Sequence, residues 1–346
     1  MKKTQHQISG QALIGDELTL TPVDIFIENG RITAIEENPR APLIWICPSF
    51  FNAHTHLGDT IAMDCGATGD LTALVTPPHG LKHRLLAAAS RHDLVQGMRA
   101  SMQGMIAGGV AGCADFREGG PDGVTLLKEA AEGLSFQPVI FGRDGGEHHA
   151  NGLGISSVRD VKDTERLVAE ARQQGKKIAF HAGERDAEDV DAALAYGPDL
   201  IIHATHATEK QLRHCADTGI AIAVCPRSNW TLGVTASAHN PPLRLMLELG
   251  CTLYLGTDNV MFVAPDMFAE MAFSSTVYGL EPQTLLRAAI GGSELCGESF
   301  FIRIGARASL FMIDPSKSAL QFSRDPVASI TKRGPGTHIV HNVLNL

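Results

Sequence analysis

No stretch of this 346-residue chain approaches the run of about eighteen apolar residues that a membrane-spanning helix needs, although 44% of its residues are hydrophobic. The apolar residues are instead dispersed, as in a soluble globular protein. The opening residues, Met1-Lys2-Lys3-Thr4-Gln5-His6-Gln7, are basic but lead into no apolar segment, so no secretory signal is expected. Seven cysteines, an odd number without compact framework spacing, suit reduced thiols better than disulfides, and the expected compartment is the cytoplasm. Positive charge is in deficit. A net charge of −9 argues against nucleic acid or an anionic membrane as the main partner and leaves a small-molecule substrate. A homo-oligomer is compatible with the sequence but not specified by it.

The length fits one large α/β unit with a small appendage better than two equal domains. Near the start, Val23 to Ile35 alternates apolar and polar residues on both sides of Asn29-Gly30, a strong hairpin signal. Ala308 to Ile313 and His338 to Leu344 supply further strands at the far end. Neither end alone has enough strands to bury a face, so the two are expected to form one small β-sandwich, residues 1–48 together with 304–346. Between them, residues 49–303 alternate short apolar runs with helical patterns, the mark of βα repetition. Candidate strands end near His56, Phe116, Arg143, Val158, Glu184, His203, Arg227 and Asp258. Eight such strands predict a (β/α)8 TIM barrel, with its active site at the C-terminal strand ends. Only about ten residues separate Gly142 from Gly152, fewer than a crossover needs, and that connection is expected to be irregular. Val95, Met98, Met102, Met105 and Ile106 recur at helical spacing and read as a barrel-packing face, ended by Gly108-Gly109.

Four segments fall at those strand ends: His54-Thr55-His56, His181-Ala182-Gly183-Glu184, His203-Ala204-Thr205-His206 and Gly256-Thr257-Asp258-Asn259. An isolated H-x-H is a weak signal in a chain with fifteen histidines. Here it follows the apolar, strand-like run Trp45 to Ala53, and residues i and i+2 of a strand share a face, so both imidazoles can reach one ion. Glu184 follows His181 by three positions, just past a strand end, where the chain can turn its carboxylate back toward the same place. In Ile201 to His206 the strand phase favours His203 as the inward residue, with His206 the competitor.

This ordering resembles the amidohydrolase superfamily, and within it the mononuclear deaminase branch with its cytosine, guanine and adenosylhomocysteine deaminases and chlorohydrolase-like members. The His-Ala-Gly-Glu segment is similar to that of adenosine deaminases, and Cys225-Pro226-Arg227-Ser228-Asn229 resembles the branch's C-P-x-S-N segment. The resemblance implies one divalent ion held by His54, His56, His181 and Asp258, zinc as first choice, with ferrous iron also compatible with nitrogen and oxygen ligands. Such an ion lowers the pKa of water from 15.7 to about 7, a shift of roughly 9 units worth about 12 kcal/mol. Glu184 would then move protons, and His203 and Asp258 would complete the catalytic set. Binuclear members use a lysine at the fourth strand end, but residues 129–161 contain none, so one metal is expected. Glu147, His148 and His149 are a candidate second cluster, read first as solvated loop.

The implied reaction is hydrolytic deamination of an aromatic amino-heterocycle of purine, pyrimidine or pterin type. The alternative is hydrolysis of a cyclic amide or imidazolone C–N bond, and a third reading is a non-catalytic relative. Gly152 to Ser157 lacks the histidine-containing aromatic segment of nucleoside-deaminating relatives, and Leu57 to Asp64 lacks their arginine-bearing loop, which turns the expectation away from adenosine-like substrates. Arg117, Arg143, Arg185 and Arg227 lie at or beyond strand ends, and Lys82-His83-Arg84 follows the first long loop. Arg117, Arg143, Arg227 and Asn229 are therefore expected to contact substrate, and guanidinium groups around a barrel mouth suit an anionic one.

Overall fold

The Asn29-Gly30 turn closes as its sequence predicts, with left-handed φ angles of 50° and 75° at the two positions, as a tight two-residue hairpin requires. It joins strands β2 (Thr19–Glu28) and β3 (Arg31–Glu37), which follow β1 (Gln5–Ile14), and the chain then forms β4 (Trp45–Pro48). The computed structural model describes residues 5–65, 69, 71–77, 79–334 and 339–344. The apolar run expected as one approach to the histidines is in fact two strands. It breaks at Ser49, where the chain leaves one sheet and enters another as β5 (Phe50–His56).

Eight further strands follow: β6 (Val110–Arg117), β7 (Gln137–Gly142), β8 (Gly152–Ile155), β9 (Lys177–Ala182), β10 (Leu200–His203), β11 (Ala221–Val224), β12 (Leu253–Leu255) and β13 (Asp258–Asn259). With β5 they make one parallel sheet in the order β12-β11-β10-β9-β8-β7-β6-β5-β13. β12 and β13 are two pieces of a single eighth strand. The first pairs with β11, and the second pairs with β5 through Asp258 opposite Thr55 and Asn259 opposite His56, which closes a TIM barrel. The connection from β7 to β8 carries only a short 3-10 turn, Gly146–His149, where the other crossovers carry helices.

At the far end, β14 (Ser309–Ile313) and β15 (Ile339–Leu344) return to the first sheet, whose order is β15-β14-β4-β1-β2-β3. Both chain ends are thus needed to build it, and Val23, Ile25 and Ile27 bury one face against Ile8, Ile32, Ile46 and Leu310. Phe311 of β14 joins this sheet to the barrel, its ring centroid 5.0 Å from that of Phe50. A helix between β14 and β15, Pro326–Arg333, packs on the barrel helices Met267–Tyr278 and Pro282–Gly291. The methionine stripe lies on helix Arg91–Ala107, with Val95, Met98, Met102 and Met105 buried in the barrel core. Among the described residues, no helix is long and apolar enough to cross a membrane.

Candidate metal and active site

Strand pleating carries His54 and His56 of β5 to one face, with ring centroids 4.9 Å apart, and His181 at the end of β9 comes within 4.8 Å of His54. One ligand atom from each of His54, His56 and His181 falls within 4.8 Å of the others, and so do atoms of His54, His203 and Asp258. His54 is common to both groups. Asp258 Oδ1 lies 3.1 Å from His54 Nε2 and 3.5 Å from His56 Nε2.

Two of the histidines are oriented by a neighbouring strand. His181 Nδ1 is 3.0 Å from the Ile155 carbonyl of β8, and His56 Nδ1 is 3.0 Å from the Phe116 carbonyl of β6 and 2.9 Å from Glu118 Oε1. A donor role at Nδ1 leaves Nε2 as the free lone pair, the usual outer-shell arrangement of a ligating histidine. Asp258 accepts from Ser228 Oγ at 2.6 Å and from Asn259 Nδ2 at 3.0 Å. Burial holds the histidines neutral, depressing His54 to about 4, His56 to about 3 and His181 well below the usual imidazole range. Asp258 is held well below the usual carboxylate range: its burial works against this, and the hydrogen bond with His54 together with the surrounding imidazoles outweighs it. Three neutral imidazoles and one ionised carboxylate form a donor set that fits a divalent ion of the zinc or ferrous type.

Local backbone geometry serves the same cluster. His203 and Asp258 have left-handed φ angles of 74° and 65°, and Ala204 has 47°. Non-glycine residues in that region cost roughly 1–3 kcal/mol each and concentrate at functional sites. Gly256 lets the eighth strand approach the first: a Cβ there would lie 2.7 Å from the backbone nitrogen and Cβ of His54. Gly183, at φ 82°, makes the turn that separates His181 from Glu184. Past that turn, Glu184 Oε1 stands 3.5 Å from His203 Nε2, with the Glu184 side chain 19% exposed and that of His203 buried. Burial raises the Glu184 carboxyl above its usual range; His203 opposes the rise and Asp258 adds to it. One cavity receives His56, His181, Glu184, His203 and Asp258 together. The arrangement brings nitrogen and oxygen ligands to one point, with a carboxylate beside them able to take and return a proton.

Known proteins agree with this architecture. The family model described as adenosine deaminase matches residues 152–300. A Methanothermobacter thermautotrophicus protein named "Putative aminohydrolase" is 32% identical over 97% of this chain and 96% of its own length. This chain belongs to the amidohydrolase superfamily. It is accordingly a hydrolase of carbon–nitrogen bonds outside peptides. A 5-methylthioadenosine/S-adenosylhomocysteine deaminase of Halobacterium salinarum is 23% identical, covering 97% of this chain and 90% of its own. In three dimensions, an adenosine deaminase from Xanthomonas campestris with bound zinc superposes with a TM-score of 0.82 at 17% identity, over 98% of this chain and 91% of that one.

The substrate residues expected from sequence separate into two groups. Arg143 and Arg185 line the cavity; Arg117, Arg227 and Asn229 do not. Arg117 is buried against Glu118 at 2.7 Å and Asp115 at 3.4 Å. Arg227 donates through Nε to Glu270 at 2.6 Å and through Nη2 to the carbonyls of Ala264 and Asp266. Asn229 is buried and donates to Thr205 Oγ1 at 2.9 Å, so its contact is with the β10 end. Of the competing histidines, His203 lines the cavity, whereas His206 lies outside it with its backbone nitrogen on the Gly183 carbonyl. The Cys225 thiol is buried and pushed well up by that burial, as for a packed strand residue. Glu147 to His149 forms no cluster of three ligands among the described residues.

Lys82 and Asn259, which the sequence placed in the Lys82–Arg84 and Gly256–Asn259 segments without a separate role, also line the cavity, and so does Glu118, which it had not singled out. Glu118 carried a signal in hindsight, since Asp115, Arg117 and Glu118 crowd three charges onto the end of an otherwise apolar strand.

Proposed function

We propose that the protein is a metal-dependent hydrolytic deaminase of an aromatic amino-heterocycle of purine, pyrimidine or pterin type. The observation that carries the reading is Glu184, which reaches the cavity beside three histidines and Asp258 and stands 3.5 Å from His203. His54, His56, His181 and Asp258 would hold the ion, zinc by first choice; when bound, it supplies Lewis-acid activation of water and of the attacked ring at neutral pH.

This chain's own residues then divide the remaining work. Glu184, its carboxyl raised by burial, accepts a proton from the attacking water and delivers it to the departing nitrogen. His203, with Nε2 toward Glu184, is placed to donate toward charge that develops on the ring during attack. Ser228 and Asn259 hold the Asp258 carboxylate so that it does not swing into the substrate space. The deaminase names among the relatives support ammonia as the leaving group.

The test is ammonia release by zinc-loaded protein against panels of aminopurines, aminopyrimidines and pterins. Turnover with stoichiometric ammonia supports the reading. Ring opening of a cyclic amide without ammonia would replace it.

A further inference from the structure

Lys82 is a buried lysine on the wall of the cavity, and burial of an ammonium is costly unless its partners or its task require it. It enters from helix Leu81–Ala88, and its Nζ lies 2.8 Å from Glu118 Oε1, 3.4 Å from Asn259 Oδ1 and 3.2 Å from Asp59 Oδ2. The Asp59 contact is a buried ion pair, which gives the ammonium a second carboxylate partner besides Glu118. Arg143 reaches the same Glu118 oxygen, at 3.1 Å through Nη2. That is the one side-chain hydrogen bond Arg143 makes among the described residues, and its Nε is buried without a partner. A guanidinium has five donors, and a nearly buried one with a single acceptor is rare in a finished structure.

The cavity wall carries both signs, Lys82, Arg143 and Arg185 among Glu118, Asp160, Glu184, Asp189 and Asp258. Lys82 and Arg143 are the two of these cations held by Glu118, while Asp59, Asp115 and Arg117 do not line the cavity. Glu118 is further divided, with Oε1 also on His56 at 2.9 Å and Oε2 on Arg117 at 2.7 Å. Glu118 therefore bridges two cavity-facing cations, of which Lys82 is met by three acceptors and Arg143 keeps unused donors. What is missing is an acceptor that arrives with the ligand.

We propose that Lys82 and Arg143 form an anion subsite that selects an amino-heterocycle bearing a carboxylate substituent. The proposal rests on the deaminase reading for the ring and adds the acid group. Glu118 is a positioning residue that holds both cations toward the same space, and its carboxylate yields part of its hydrogen bonding when the substrate's arrives. Lysine supplies a point charge and arginine a planar fork, the complement that a carboxylate accepts.

The experiment compares matched pairs, pterin-6-carboxylate with 6-methylpterin and cytosine-5-carboxylate with 5-methylcytosine, by ammonia release and by calorimetric titration. Charge-assisted hydrogen bonds are worth about 1.5–3 kcal/mol each, so at least one acid should exceed its neutral partner by about 10- to 150-fold in kcat/KM. In Lys82→Met that ratio should fall at least about tenfold toward one, mainly through KM. Lys82→Arg, which keeps the charge and guards against a folding defect, should retain most of the preference. Acid and neutral rings handled alike by the wild type, or a Lys82→Met ratio equal to the wild-type ratio, overturns the subsite and leaves the deaminase reading standing. If no ring releases ammonia, that reading fails instead. Titration then decides the subsite: tighter binding of an acid that is lost in Lys82→Met supports it, and no preference for any acid overturns it.

Discussion

Replacing Glu184 with glutamine keeps the side-chain volume and the contact toward His203 but removes the proton acceptor. The carboxylate is 19% exposed and its separation from His203 Nε2 is 3.5 Å, longer than a strong hydrogen bond, so the change should alter folding stability little. No proposed ligand is touched, and metal content should stay at one equivalent. The chemical step should suffer instead. General acid–base groups contribute roughly 10²- to 10⁴-fold, or about 3–5 kcal/mol, and kcat should fall by at least the lower figure with KM nearly constant. The assay is steady-state ammonia release on the best substrate of the panel, beside metal analysis and a thermal melt on the same sample. A fully metallated Glu184→Gln protein that releases ammonia at close to the wild-type rate refutes the proton-shuttle role. His206 and Asp59 could not readily take over that role, for neither lines the cavity.

Ser228→Ala removes the 2.6 Å bond to Asp258 Oδ2 and should weaken metal affinity about 10- to 100-fold, read by competition with a chelating dye. Gly256→Ala forces a Cβ to 2.7 Å from the backbone of His54; overpacking of this kind costs roughly 1–3 kcal/mol, and both Tm and metal content should drop. Arg227→Met strands Glu270, which is fully buried, so a loss of about 3–5 kcal/mol should appear as a Tm lower by several degrees. An intact Tm, with KM raised only for anionic substrates, would return Arg227 to the substrate.

What could be read from the sequence was whatever local periodicity determines. The i, i+2 spacing of His54 and His56 states their common face as soon as the segment is taken as a strand, and the phase of Ile201 to His203 points His203 inward by the same rule. Asn29-Gly30 specifies its turn through φ alone. Long-range pairing was not readable. Arg227 and Arg143 look alike as strand-end arginines, yet Glu270 on helix Met267–Tyr278 claims the first and leaves the second at the cavity. Lys82 carried no spacing signal, because its place is set by where helix Leu81–Ala88 lies over the barrel mouth. The break at Ser49 was hidden because Trp45–Pro48 and the Phe50-Phe51 start of the next strand are both apolar and buried, although they belong to different sheets.

The site is also a concentration of unfavourable local states. His203 and Asp258 sit at positive φ, at roughly 1–3 kcal/mol each, and the same small volume buries three neutral imidazoles with an ionised carboxylate. None of these would persist on a flexible loop. Three of the groups are fixed by neighbouring elements: His56 from Phe116 of β6, His181 from Ile155 of β8, and Asp258 from Ser228 beyond β11 and from its own ladder with β5. Closure of the barrel between β13 and β5 is therefore a condition of the site as well as of the fold, since it is the contact that brings Asp258 to His54. Changes that loosen this seam should lower metal affinity before they unfold the protein, because the ligand geometry tolerates less displacement than the apolar core around it.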